Sequence, residues 1–488
     1  MTFAEKHNLG LTLMQSASAY HYEMGDMRAT NVASSEELWY NMTTAGTLSS
    51  FGTGLTETQM TSYMIRANYG FMDKYLLTAS MRWDGASQLA PGHKWASFPS
   101  MALAWRLDQE NFLKDVNWLS QLKLRLGFGI TGNAAIAAYA TKGAITGLYY
   151  NWGQTDSSLG YVPSDPSAKD PAKMANQDLG WEKTTQYNVG IDYGFFNNRL
   201  SGSIDAYKTK TNDLLLGMTI PSLTGYTSTY ANVGKTSGWG IDLQVNAIPV
   251  QTKDFSWNTT LTWSMDRNKI EQLSNGRTED VNNRWFVGEE IGVYYDYVYD
   301  GIWKTSEAEE AAKYGCQPGD FKYLDLNENG KLDQDDKRHQ KYTTPRFRWT
   351  LRNNFQLFND LDVSFMLYSL WGHHGSYADA ANNNFDASIS CGYDQPYWTP
   401  ENPINDYARI GSKNLGTHYV NKSFIRLDNI TVSYRLPQKW TKVVGIQDLR
   451  FNASIHNVAV FAPHYDGWDP ESNSPMGRTF NFGINFTL

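Results

Sequence analysis

Between Asp325 and Asp336, side chains that carry oxygen recur at a fixed spacing: Asp325, Asn327, Asn329, Asp333 and Asp336, with Gly330 and Lys331 between them. This is the order of an EF-hand loop at positions one, three, five, six, seven, nine and twelve, in which hard oxygen ligands wrap a Ca²⁺ ion and Gly permits the sharp turn. The spacing predicts a Ca²⁺ site built from Asp325, Asn327, Asn329, Lys331, Asp333 and Asp336. Asp at the twelfth position has a shorter reach than the usual Glu, so one oxygen or a water replaces the bidentate grip. Such an ion would stiffen a long loop rather than perform chemistry; the competing reading is a solvated acidic loop. Just upstream, Ser306 with Glu309 reads as a capping box on a short helix, Glu307 to Tyr314.

Other groups offer less. His373 and His374 are adjacent, and neighbouring side chains seldom converge on one ion, so a polar strand end is the better reading. Cys316 and Cys391 both fall in long loops, and sequence alone fixes no distance between them. No histidine, serine and carboxylate constellation stands out, so no enzyme is expected. Tyr149, Tyr150, Trp152, Tyr161, Trp285, Tyr397, Trp398, Tyr465 and Trp468 sit in loops, where they could stack on sugar rings or serve as packing and interfacial aromatics.

The elements that must position these loops are strands. From Thr479 to Leu488, Phe480, Phe482, Ile484, Phe486 and Leu488 alternate with Thr479, Asn481, Gly483, Asn485 and Thr487. A period of two sorts residues onto two faces. Here one face is large and apolar, and the other is small and uncharged. That pattern suits a transmembrane barrel, with apolar side chains toward lipid and polar ones toward a wet lumen, over roughly ten residues per crossing. Aromatic residues make up 14% of the chain against 19% charged, which fits interfacial girdles. The net charge of −8, without a basic stripe, argues against a nucleic-acid partner. No run of eighteen apolar residues suggests a transmembrane helix. Leu9 to Met14 is too short and broken for a signal peptide and reads as a strand.

Taken in order, the chain predicts a first strand over 8–17 and a polar stretch to Met60. Strands follow around Tyr63–Tyr69, Tyr75–Trp83, Met101–Trp105 and Leu119–Thr131. A hairpin over 185–208 turns at Asn197-Asn198, where adjacent Asn residues tolerate positive φ. Further strands run through Trp239–Val245 and, after a short turn around Pro249, Trp257–Met265, then Phe347–Phe355 and Val363–Trp371, with residues 269–345 as the longest loop. The last three are 424–436, 449–457 and the terminal one. About fourteen strands result, with connections that alternate strictly between long and short, and the C-terminus lies on the short-turn side.

Several stretches, as a set, resemble the SusC/RagA-type TonB-dependent transporters of the outer membrane. They are Lys74 to Gly85 (KYLLTASMRWDG), Phe98-Pro99-Ser100, Trp105-Arg106, Leu122-Lys123-Leu124-Arg125 with Thr131-Gly132-Asn133, and Leu179-Gly180-Trp181-Glu182. Tyr207-Lys208, Pro318-Gly319-Asp320, Phe424 to Ile430 (FIRLDNI) and Asp469-Pro470-Glu471 complete it. The resemblance covers essentially the whole chain. It implies an all-β antiparallel barrel of twenty-two strands around an N-terminal plug, and import of glycan or peptide fragments powered through the TonB complex. It also implies a SusD-like surface lipoprotein partner, and residence in the outer membrane of a Gram-negative, Bacteroidetes-like bacterium. With no plug-like stretch visible, residues 1–488 read as the C-terminal part of such a barrel, carrying about fourteen of its strands. The competing readings are an outer-membrane or surface enzyme and a soluble glycan-binding β-protein.

Overall fold

A computed structural model describes residues 2–3, 6–31, 47–142, 146–151, 157–162, 173–221, 223, 226, 228–377, 380, 396–413 and 415–488. A fifteen-stranded antiparallel sheet dominates. Beside a two-residue edge strand, Thr2–Phe3, it contains β1 (His7–Thr30), β2 (Thr47–Phe71), β3 (Tyr75–Ala86), β4 (Trp95–Arg106), β5 (Leu119–Asn133), β6 (Glu182–Phe195) and β7 (Leu200–Asn212). It continues with β8 (Lys235–Gln251), β9 (Phe255–Gln272), β10 (Phe347–Leu357), β11 (Leu361–Trp371), β12 (Phe424–Arg435), β13 (Asp448–Phe461) and β14 (Thr479–Thr487). Each pairs with its neighbours in chain order, and among the described residues no pairing joins β14 to Thr2–Phe3. The described helices are short, and none is long and apolar enough to cross a membrane.

The register lines up the two faces expected from the alternation. Across β5 to β10, Leu124, Ile191, Ile204, Leu243, Trp263 and Trp349 form one continuous apolar row. On the other face Arg125, Gly190, Asp205, Asp242 and Ser264 stand in register. The apolar face meets no protein: Phe482 is 82% exposed, and Ile484, Val189 and Leu126 are also open. A soluble sandwich would bury that face, so the exposure itself points to lipid.

Three differences from the sequence reading are physical. The first hairpin is far longer than expected, with β1 and β2 paired from His7↔Phe71 to Thr30↔Thr47, so 18–30 and 47–59, expected as polar stretch, are strand. Apolar residues change phase there, from Leu9, Leu11 and Leu13 to Tyr20, Tyr22 and Met24, which erases the period of two. A strand of 24 residues exceeds the 9–11 needed to cross a bilayer, and its far half escapes the two-solvent rule. Second, long and short connections do not alternate strictly: 107–118, on the short-turn side, is longer than 87–94 on the other. Third, the chain turns not at Pro249, which lies within β8 at an irregular pairing, but at Thr252–Asp254.

Turns on the short side carry an uncommon backbone. Phe196, Asn197 and Asn198 all have positive φ, as do Met72 with Asp73 and Phe358 with Asn359. In the last two turns the i+3 N–H donates to the first residue's carbonyl, Lys74 to Phe71 at 3.0 Å and Asp360 to Leu357 at 3.1 Å. These are type I′ geometries, whose twist matches that of the flanking strands.

Candidate functional site

Charges on the polar face are spent on each other. Lys123 Nζ lies 3.1 Å from Asp192 Oδ2, and Arg125 Nη2 reaches Asp192 at 2.8 Å and Asp205 at 2.8 Å. Gly190 makes this bridge fit, since a Cβ there would fall 2.7 Å from Arg125 Cζ. Asp205 stands directly across from Asp242, a like-charge pair that disfavours the sheet unless a cation intervenes. Arg125 neutralises Asp205 from one side, and Arg348 donates to Asp266 at 2.5 Å rather than to Asp242. The result is a wet, charged wall rather than a dry core.

At the long-connection end, fragments far apart in sequence converge. Phe98 packs edge-on against Trp181 at 5.2 Å, with Ala86 and Leu89 beside them. The Trp181 indole N–H donates to the Lys94 carbonyl at 2.8 Å. A side chain on Gly132 would collide with both rings, so the Thr131-Gly132-Asn133 glycine is a packing requirement.

The 273–346, 372–423 and 462–478 connections build a second, conventional core. Ile302, Phe321, Tyr323, Tyr377, Trp398, Tyr407 and Tyr465 are buried together. Gly319 adopts φ +93° against Trp398 and Arg409, and the neighbouring buried Asp320 pairs with Arg409 Nε at 2.9 Å. Pro318-Gly319-Asp320 is therefore a knot between two loops. Burial raises the Tyr299 and Tyr323 hydroxyls well above the usual phenol range, so both stay neutral.

Three polar contacts pin 462–478 to the wall. Arg426 Nη2 donates to Asp469 Oδ2 at 2.6 Å, with Arg426 1% and Asp469 4% exposed. Tyr368 Oη donates to Glu471 Oε2 at 2.6 Å, and buried Lys422 donates to Asn473 Oδ1. Burial works against the Asp469 carboxylate, but the Ser472 N–H, Arg426 and the Glu471 N–H hold it below the usual range. The motifs FIRLDNI and Asp-Pro-Glu thus meet through Arg426 and Asp469, 43 residues apart, a pairing that neither motif signals by itself. Nearby His373 is buried with Nδ1 unpartnered, and burial, Lys422 and His374 push it down to about 4, so it is neutral.

In the loop from Asp325 to Asp336 the side-chain oxygens turn inward. Asp325 accepts from the Asn329 and Gly330 N–H groups, Asn327 from Asn329, Asn329 from Lys331, and Asp333 from Asp335. Asp336 is fully buried and takes the Leu326, Asn327 and Asp333 N–H groups. Among the described residues no three His, Cys, Asp or Glu side chains form a metal-holding group. The upstream helix is Ala308–Lys313, not Glu307 to Tyr314. The Ser306–Glu309 box is replaced by Glu307, which reaches back to the Lys304 N–H at 2.9 Å because a 3-10 turn precedes the helix.

The loop aromatics divide. Trp398 and Tyr465 are interior to the loop core and serve packing, whereas Tyr397 and Trp468 are exposed and Trp285 half-buried. Tyr149, Tyr150 and Tyr161 lie in a small hairpin, Thr146–Asn151 with Ser157–Val162. Trp152 and Cys391 fall outside the described residues, and Cys316 is buried.

A two-faced antiparallel wall with paired charges on one side and folded long connections at one end is the architecture of an outer-membrane β-barrel. Residues 3–458 match the family model described as TonB dependent receptor-like, beta-barrel, and the chain belongs to this family. It is 32% identical to the TonB-dependent receptor SusC of Bacteroides thetaiotaomicron over 88% of the chain and 44% of that protein. It is also 30% identical to the TonB-dependent receptor P3 of Formosa agariphila, over 98% of the chain and 50% of that protein. In structure it resembles the RagAB peptide transporter, with a TM-score of 0.80 and 26% identity over 99% of the chain and 54% of that chain. The chain thus spans about half the length of these relatives. They are receptors and transporters, not enzymes, and the family places the chain in the outer membrane of a Gram-negative bacterium.

Proposed function

We propose that this chain forms barrel wall and mouth of a TonB-dependent importer of glycan or peptide fragments in a Bacteroidetes-like bacterium. In this reading it works with a SusD-like surface lipoprotein and is driven through the TonB complex. The observation that carries the reading is the two-faced wall: an exposed apolar row faces lipid while the Lys123–Asp192–Arg125–Asp205 network lines a wet path. Kinship with SusC and the RagAB peptide transporter supports the two nutrient classes. The test is deletion of the gene in its own host, followed by uptake of labelled oligosaccharides and peptides with and without a proton uncoupler. Energy-dependent uptake that disappears on deletion supports import; uptake unchanged for both classes refutes it.

We propose further that the loop from Asp325 to Asp336 holds Ca²⁺, on the ligand order and the inward-turned oxygens of Asp325, Asn327 and Asn329. Burial opposes the charge on Asp325, yet the Gly330 N–H, the Tyr314 hydroxyl and the Asn329 N–H hold its carboxyl below the usual range, ready for a cation. Calcium titration by calorimetry should show saturable binding that Asp325→Ala abolishes; the same binding in that variant removes the site.

A further inference from the structure

Behind the pinned 462–478 connection lies a cavity of about 260 Å³, bounded by the inward side of β13 and by Trp468, Met476 and Arg478. We propose that it is a subsite for a carboxylate-bearing sugar ring, an inference that rests on the import reading and names one unit of its cargo.

Charge sets the sign of the ligand. Asp469 is engaged within the protein: Oδ2 receives Arg426 at 2.6 Å, and Oδ1 receives the Glu471 and Ser472 N–H groups at 3.0 Å each. Arg426 is likewise held, with Nη1 on Asn457 Oδ1 at 2.5 Å, and its buried Nε has no partner. Arg478 is exposed and has no ion-pair partner among the described residues. Among the residues lining the cavity the two guanidinium groups outnumber the one carboxylate, and Glu471, outside the lining at 3.6 Å from Arg426, is engaged by the Tyr368 hydroxyl; guanidinium pairs well with a carboxylate.

Shape and surface set its class. Trp468 is 43% exposed, and together with Val458, Val460 and Met476 it gives the cavity an apolar side on which the C–H face of a sugar ring can lie. The volume is below the roughly 300–1,000 Å³ of pockets for drug-sized ligands, so it admits a single small unit. A peptide is the alternative outcome of the test. Extended peptides are held by main-chain hydrogen bonds at a free strand edge, and β13 is paired with β12 up to Phe461 but with β14 only up to His456, so it is the exposed indole of Trp468 and the small volume that favour a sugar ring.

The test is calorimetric titration of the full chain in detergent with a glucuronate-containing oligosaccharide, its all-glucose counterpart and a glutamate tripeptide. The acidic sugar is expected to bind at least tenfold tighter than the neutral one. Arg478→Gln should remove that preference, Arg478→Lys should retain most of it, and Trp468→Ala should weaken both sugars. Heat-modifiable migration of each variant checks that it is folded. Equal affinity of the wild type for both sugars, a preference that survives Arg478→Gln, or a tripeptide that binds as tightly as the acidic sugar would each overturn the subsite. A wild type that imports neutral oligosaccharides without acidic preference overturns the subsite alone. One that imports neither sugars nor peptides overturns the importer and the subsite together.

Discussion

In the wall, Phe482, Ile484 and Ile191 point away from all protein while Arg125, Asp192 and Asp205 face inward and satisfy one another. In the mouth the order is reversed: Phe321, Trp398 and Tyr407 are enclosed, and the charges buried with them, such as Asp320, Asp336 and Asp469, are individually paired or hydrogen-bonded. The same chain obeys two solvent rules within one molecule. The wall owes its cohesion to backbone ladders and lipid, the mouth to ordinary apolar burial. Perturbations should therefore sort by region, and mixed outcomes would blur the division.

The largest effect belongs to the seam between the regions. Asp469→Ala leaves Arg426 charged and buried, and removing one member of such a pair costs roughly 3–5 kcal/mol. Limited proteolysis should show 462–478 cleaved rapidly while the heat-modifiable barrel persists; simultaneous loss of both would mean that wall and mouth are one unit. Next comes the lipid face. Ile191→Arg near the bilayer midplane should cost roughly 2–4 kcal/mol, measured by urea unfolding in liposomes, whereas Asn188→Arg on the opposite face should be tolerated far better. Equal damage at both sites would reverse the assigned faces.

Acid should loosen the mouth before the wall. Asp469 titrates below its ordinary value, so its stabilisation is fully present above the unfolded carboxylate pKa of about 4 and fades as pH falls through the lowered folded value. Protease sensitivity of 462–478 should rise in that window and recover on neutralisation; a flat profile from pH 7 to pH 3 would remove the electrostatic account of the seam. The smallest effect is expected at a turn. Phe358→Gly relieves a left-handed residue worth about 1–2 kcal/mol in backbone strain, and urea unfolding should show a modest gain, less whatever the ring contributes at the interface.

How much of this was legible follows from what kind of pattern each part uses. The period of two in β6, β12 and β14 is local, so faces and strand order could be read directly. It failed at 18–30 and 47–59, where Tyr20, Tyr22 and Met24 shift phase because that part of the hairpin extends past the apolar layer. Lys123 and Arg125 could be read as inward charges, but their partners Asp192 and Asp205 follow only from register. Phe98-Pro99-Ser100 says nothing alone, because its meaning lies in Trp181 and Gly132, which other strands deliver. Tyr397 and Trp468 could not be told from Trp398 and Tyr465, since burial in a loop core carries no periodicity.

The left-handed turns have a bearing on assembly. In a sheet with two unlike faces, a slip by one residue exchanges them completely. For the β6–β7 hairpin it would carry Asp192 and Asp205 to the lipid side, away from Arg125, and a matching slip of β5 would put Lys123 and Arg125 there at roughly 2–4 kcal/mol each. Phe196-Asn197-Asn198, Met72-Asp73 and Phe358-Asn359 leave no slack at the point where each return strand begins. A tight bend at one end of a hairpin thus acts as a proofreading device for charges placed several residues away.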